Sequence, residues 1–140
     1  MNGNDAVDLR NRTVLIADDD DVTRGLLRSL LRVSGLQVIA ECANGERALA
    51  DYRRLRPEIV CLDIDMPGVD GLAALSQIRG LSSETVIIMI SGETSEGNTR
   101  KAIEAKADGV IAKPFTTARV TGAIERGLRQ RRKTPPTASI

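Results

Sequence analysis

The chain has 140 residues, 41% of them hydrophobic, and 20 Lys and Arg against 19 Asp and Glu give a formal net charge of +1. That length makes one ordinary domain able to bury its own core, and near-neutrality argues against a field aimed at nucleic acid or an anionic membrane. With no His, no Trp, one Tyr and one Phe, the composition excludes Ser-His-Asp and Cys-His nucleophiles, His-ligated zinc, histidine phosphocarriers and aromatic base-stacking platforms.

The remaining chemistry must use carboxylates, hydroxyls, Lys and Arg, or a metal. Residues 1–12 are polar and irregular and read as a frayed lead-in. Thr13-Val14-Leu15-Ile16-Ala17 is a continuous apolar run of the kind buried on both faces of a sheet, and it stops at Asp18-Asp19-Asp20-Asp21. Val22, Leu26, Leu27, Leu30 and Leu31 then recur at helical spacing, with Asp21 as the expected N-cap and Gly35 as the stop. Gln37–Cys42 reads as a strand, and 46–55 as a helix carrying Ala48, Leu49 and Tyr52. Residues 58–62 form another apolar strand, ending at Asp63, and 70–78 a helix with Leu72, Leu75 and Ile78. Residues 85–90 are apolar and mostly β-branched, and end at Ser91-Gly92. A helix over 97–107 leads to the short strand Gly109–Ala112, which ends at Lys113-Pro114. The last helix, 116–130, repeats Val120, Ile124 and Leu128 at four-residue intervals. Residues 131–140, basic and then Pro-containing, read as a flexible tail or the start of a linker.

Cys42 and Cys61 sit in apolar runs without a CxxC spacing and read as small buried hydrophobes. The N-terminus has no leader-like pattern and no apolar run reaches membrane-spanning length, so a cytoplasmic location is expected.

Five β-then-α units imply a parallel sheet covered by helices on both sides, joined by right-handed crossovers. Chemically capable residues then fall at successive strand ends: Asp18 and Asp19, Asp63, Ser91, Lys113. Ligands of an open parallel sheet bind outside the carboxyl ends of its strands, so these residues are expected to converge. Three carboxylates in one crevice repel each other unless a cation sits among them. All-oxygen ligation suits Mg2+ or Mn2+ rather than zinc. A divalent ion, a Lys and a hydroxyl serve phosphoryl binding and transfer, and an Asp can itself be the nucleophile. Taken singly, an acidic run is a helix cap, Ser-Gly and Lys-Pro are turns, Asp70 starts a helix and Met66 packs. Chance does not place acid, acid, hydroxyl and Lys at successive strand ends.

The chain resembles a receiver domain of the two-component response regulators, from about Thr13 to about Arg129. Val14-Leu15-Ile16-Ala17-Asp18-Asp19-Asp20 is similar to the family's opening strand and acidic pair. Leu62-Asp63-Ile64-Asp65-Met66-Pro67-Gly68-Val69-Asp70-Gly71 is a nearly complete phosphoacceptor signature. Ile88-Met89-Ile90-Ser91-Gly92 resembles the fourth strand, and Ala107 to Phe115 the closing Lys-Pro-Phe element. The resemblance implies a flavodoxin-like (βα)5 sandwich with sheet order 2-1-3-4-5, the receiver occupying 13–130. It implies Asp63 as phosphoacceptor, and Mg2+ held by Asp19, Asp63 and the backbone carbonyl of Asp65, with Asp18 acting through metal-bound water. It implies that Ser91 and Lys113 bind the phosphoryl group and that Lys113-Pro114 is cis. The implied partners are a sensor histidine kinase or histidine phosphotransfer protein and, met through the last helix-strand-helix face, a downstream protein target or a second copy. Neither nucleic acid nor a membrane is expected as a partner, and no enzymatic activity beyond self-phosphorylation from a donor and slow self-dephosphorylation.

Two departures stand out. Val110 occupies the position of a Tyr or Phe that swings inward on phosphorylation in the family, and a β-branched aliphatic side chain cannot make that motion. Switching is therefore expected to rely on Ser91 and the backbone of 92–97. In the family the positions of Asp65 and Glu93 flank the route of the hydrolytic water, so the resemblance implies two carboxylates there, which either orient water or repel an anionic donor. Three other readings remain: a receiver excised from a longer regulator, a haloacid-dehalogenase-like phosphatase through Asp63-Ile64-Asp65, and a nucleic-acid binder through Arg126, Arg129, Arg131, Arg132 and Lys133. Against the phosphatase, Met66-Pro67 replaces the small hydroxyl residues favoured there. Against the nucleic-acid binder, a short basic run is a solvated helix end.

Overall fold

The computed structural model describes residues 7–92 and 96–133. The elements run β1 (Thr13–Ala17), α1 (Asp21–Val33), β2 (Gln37–Cys42), α2 (Gly45–Leu55), β3 (Ile59–Asp63), α3 (Gly71–Leu81), β4 (Val86–Ser91), α4 (Glu96–Glu104), β5 (Gly109–Ala112) and α5 (Thr117–Lys133). The strands form one sheet in the order β2-β1-β3-β4-β5, and every pairing is parallel. This is the flavodoxin-like (βα)5 arrangement.

Side chains alternate across a strand, so each strand feeds two cores. Val14 and Ile16 of β1, with Cys61, Ile88 and Ile90, pack under Leu27 and Leu31 of α1 and Val120, Ile124 and Leu128 of α5. Leu15 and Ala17, with Val60, Leu62, Ile87 and Met89, pack under Ala48, Leu49 and Tyr52 of α2, Leu75 and Ile78 of α3 and Ala102 of α4. Both faces of the central strands are buried, which is why their sequences are continuous apolar runs rather than alternating ones. Truncating a fully buried leucine such as Leu31 or Leu75 to Ala costs roughly 2–5 kcal/mol. Met66 packs in the second core. Both cysteines are buried and free. Among the described residues, no helix is long and apolar enough to cross a membrane.

The helix starts carry the expected chemistry with one shift. Asp20, not Asp21, caps α1: its extended backbone (φ −91°, ψ 115°) lets its carboxylate accept the Thr23 N–H. The reason is local, because Asp18 Oδ1 accepts the Asp20 N–H at 2.8 Å and fixes that residue outside the helix. Asp21 becomes the first helical residue, where an acid still suits the helix dipole. Asn44 and Asp70 cap α2 and α3 in the same way.

Several boundaries differ from the sequence reading. The segment before β1 is docked from residue 7 rather than frayed: Val7 is buried in the α1/α5 core, the Asn11 N–H donates to Gly35 O at 2.8 Å, and the Gln37 N–H donates to Arg12 O at 2.8 Å. At the other end, α5 continues through Lys133. Arg131 is no solvated helix end, since its Nε donates to Asp108 Oδ1 at 2.9 Å and its Nη1 to Ser83 O at 2.9 Å. The rest of the expected tail, 134–140, lies outside the described residues. The fourth helix is also shorter than expected, ending before Lys106, which takes a positive φ of 72°.

Candidate functional site

Because the strands are parallel, β1, β3, β4 and β5 deliver their carboxyl ends to one edge of the sheet. Asp18 and Asp19 follow β1, Asp63 closes β3, Ser91 closes β4 and Lys113 follows β5. The carboxylate oxygens of Asp18, Asp19 and Asp63 lie within 4.8 Å of one another. Asp18 and Asp63 are buried and Asp19 is exposed, so the cluster opens to solvent on one side. Lys113 Nζ sits 3.1 Å from Asp18 Oδ2 and 3.5 Å from Asp63 Oδ2. Ser91 is fully buried, its carbonyl accepting the Lys113 N–H at 2.8 Å. The Lys113–Pro114 bond is cis.

The backbone under the cluster is tightly fixed. The Asp18 N–H donates to Cys42 O at 3.0 Å, and the Ile64 N–H to Ile90 O at 2.9 Å. The Asp65 N–H donates to Asp63 Oδ1 at 3.2 Å, while the Asp65 side chain is exposed and outside the three-carboxylate cluster. Gly71 is forced by close approach, because a Cβ there would stand 2.1 Å from Asp63 O. Gly68, in the same loop, has φ +74°.

The electrostatics follow from burial. Asp63 is pushed up to about 6, first by desolvation and then by the Asp18 carboxylate, against the pull of Lys113. Burial opposes the charge on Lys113, but Asp18 and Asp63 more than offset it and its pKa is raised. One ammonium among three carboxylates leaves the site short of positive charge. A set of oxygen donors with that deficit fits a hard divalent cation such as Mg2+ and offers nothing a soft metal prefers.

Val110, on β5 opposite Met89, is half-buried and packs against the α2/α3/α4 side of the core. Glu93 lies outside the described residues. One participant was missed in the sequence. Arg24, in the first turn of α1, donates from Nη1 to the backbone O of Asp18 at 2.7 Å. Its only sequence signal is a basic residue one helical turn after the acidic run. A cavity of about 500 Å3 lined by Arg12, Tyr52, Arg56 and Arg131 lies at the amino ends of the strands, the opposite edge from the acids.

A doubly wound sheet with acids, a hydroxyl and a Lys on its carboxyl edge defines a receiver. The chain belongs to the response regulator receiver domain family, whose model matches residues 14–125. It is 36% identical over 115 residues to chemotaxis protein CheY of Bacillus subtilis, covering 82% of this chain and 96% of that protein. It is 32% identical over 128 residues to the transcriptional regulatory protein PrrA of Mycobacterium tuberculosis, covering 91% of this chain but 54% of that one. Among solved structures it is similar to the CheX-CheY-BeF3-Mg complex from Borrelia burgdorferi, at 32% identity and a TM-score of 0.78 over 82% of this chain and 87% of that one. It is also similar to a LuxR-family two-component response regulator from Aurantimonas, at 31% identity and a TM-score of 0.79, covering 92% and 93% of the two chains. The family is one of signalling domains rather than conventional enzymes.

Proposed function

We propose that this receiver is a phosphorylation-dependent switch whose phosphoacceptor is Asp63. A carboxylate oxygen of Asp63 attacks the phosphorus of a phosphohistidine on a sensor kinase or phosphotransfer protein. The P–N bond breaks, the imidazole leaves with the electron pair, and an aspartyl-phosphate remains. The observation that carries this reading is the convergence of Asp18, Asp19, Asp63 and Lys113 at one sheet edge in a chain of this family.

Asp18, Asp19 and Asp63, with the backbone carbonyl of Asp65, would hold Mg2+, which when bound supplies positive charge beside the phosphoryl oxygens. Lys113 neutralises phosphoryl charge and leaves Asp18 as the group on Asp63 changes. Ser91, buried at the end of β4, donates its hydroxyl to a phosphoryl oxygen and draws the following segment with it. Val110 packs rather than swings, so the change passes through Ser91 and 92–97 to the α4-β5-α5 face, which meets a downstream protein or a second copy. By resemblance to the family, Asp65 and Glu93 belong to the positions beside the route of the hydrolytic water, where they either orient it or repel an anionic donor.

A test of the switch is the amide spectrum of the labelled chain with Mg2+ and beryllofluoride. Shifts at Ser91, in 92–97 and along α4-β5-α5 are expected. An unchanged Ser91 and unchanged 92–97 would contradict this route.

A further inference from the structure

Arg24 stands behind the acid cluster as a second cation, with only 19% of its side chain exposed. Its Nη1–H donates to Asp18 O at 2.7 Å, its Nη2 pairs with the Asp21 carboxylate, and its Nε lies 3.7 Å from Glu41 Oε1. The same Oε1 of Glu41, on β2, accepts from Arg28 Nη1 at 2.8 Å. One guanidinium therefore ties the peptide linking Asp18 to Asp19 to both α1 and β2. That peptide carries two of the three clustered carboxylates.

We propose that Arg24 is a positioning residue for the acidic turn, fixing the Asp18–Asp19 peptide so that both carboxylates face Asp63 before a divalent cation arrives. The inference rests on reading Asp18, Asp19 and Asp63 as cation ligands. Charge and clamp predict opposite signs. As a charge, Arg24 repels a cation, and removing it tightens binding. As a clamp, it holds the ligands in place, and removing it weakens binding. The clamp dominates because Asp21 and Glu41 already neutralise the guanidinium, while the bond to Asp18 O depends on its fork of donors. A Lys at this position would keep the charge but gather its donors on one nitrogen, losing the planar fork that faces Asp18 O, Asp21 and Glu41 together.

Calorimetric titration of the full chain with MgCl2, without phosphodonor, tests this. Arg24→Gln is expected to bind Mg2+ roughly tenfold more weakly than wild type, the size typical of lost outer-shell support. Arg24→Lys is expected to fall between the two, with thermal midpoints in EDTA reporting that each variant is folded. Arg24→Gln binding Mg2+ as tightly as wild type, or more tightly, overturns the proposal. If Arg24→Gln does not fold, Arg24→Lys decides: weakened Mg2+ binding supports the clamp and unchanged binding overturns it. A wild type that binds no Mg2+ fails at the cation site itself, a different result from a wild type that binds and an Arg24 variant that binds equally well.

Discussion

Lys113 is closer to Asp18 than to Asp63, 3.1 Å against 3.5 Å. The ammonium is thus shared, and its nearer partner is Asp18 rather than the proposed phosphoacceptor. Lys113→Met leaves two buried carboxylates facing each other without a counter-charge. In EDTA this variant is expected to lose about 1–3 kcal/mol of stability, the cost of an unpaired buried polar group. Saturating Mg2+ is expected to return most of that loss through binding to the native state. Thermal midpoints with and without Mg2+ check it, and an equal loss in both conditions would contradict the arrangement.

Asp63 predicts a pH dependence. Its pKa in the fold, about 6, lies above the ordinary value near 4. The folded state therefore holds the proton more tightly than the unfolded chain, so its burden on stability is absent below about pH 4 and complete above about pH 6. In EDTA, Asp63→Asn is expected to be more stable than wild type at pH 7, by on the order of 2 kcal/mol. The gain is expected to shrink to near zero at pH 3.5. A gain independent of pH, measured by thermal unfolding across that range, would contradict the burial argument.

At the opposite edge of the sheet, Asp108 answers two guanidiniums. Its Oδ2 accepts from Arg79 at 3.0 Å and its Oδ1 from Arg131 at 2.9 Å, and it also accepts the Ile87 N–H. Burial lowers the Arg79 pKa, with Arg131 adding to the effect. Asp108→Ala strands both cations and is expected to cost about 3–5 kcal/mol in urea unfolding. The rate of phosphorylation per folded molecule is expected to stay the same, because the site lies at the far ends of the strands. A loss below 1 kcal/mol, or a slowed phosphorylation rate in the folded variant, would contradict this.

Gly71 couples α3 to Asp63. Gly71→Ala pushes a methyl group to 2.1 Å from Asp63 O, so the loop after β3 must shift. A stability loss of roughly 2 kcal/mol or more is expected, with slower phosphorylation of the molecules that fold. Normal phosphorylation kinetics would show that Asp63 tolerates the displacement.

The architecture was legible because central parallel strands are buried on both sides and advertise themselves as apolar runs, as 85–90 does. Asp18, Asp19, Asp63, Ser91 and Lys113 were legible for a related reason, since each stands where such a run stops. What was not legible depends on where side chains point and on contacts made only in the fold. The shift of the α1 cap to Asp20 depends on where the Asp18 carboxylate points. The extension of α5 through Arg131 depends on Asp108, which lies 23 residues away. Arg24 shows no role until the Asp18 carbonyl is placed against it. Val7 and Leu9 are apolar residues in a polar stretch, and only the finished α1/α5 core makes Val7 a buried partner and Leu9 a partly buried one.

The central claim is that Asp63 accepts a phosphoryl group with the help of a divalent cation. Intact-mass measurement of the full chain incubated with Mg2+ and acetyl phosphate tests it most directly. Wild type is expected to gain the mass of one phosphoryl group, to lose it when the donor is removed, and to gain none in EDTA. Asp63→Asn is expected to gain none under any of these conditions. A wild type that gains nothing with Mg2+ present, or an Asp63→Asn chain labelled to the same extent, would contradict the account.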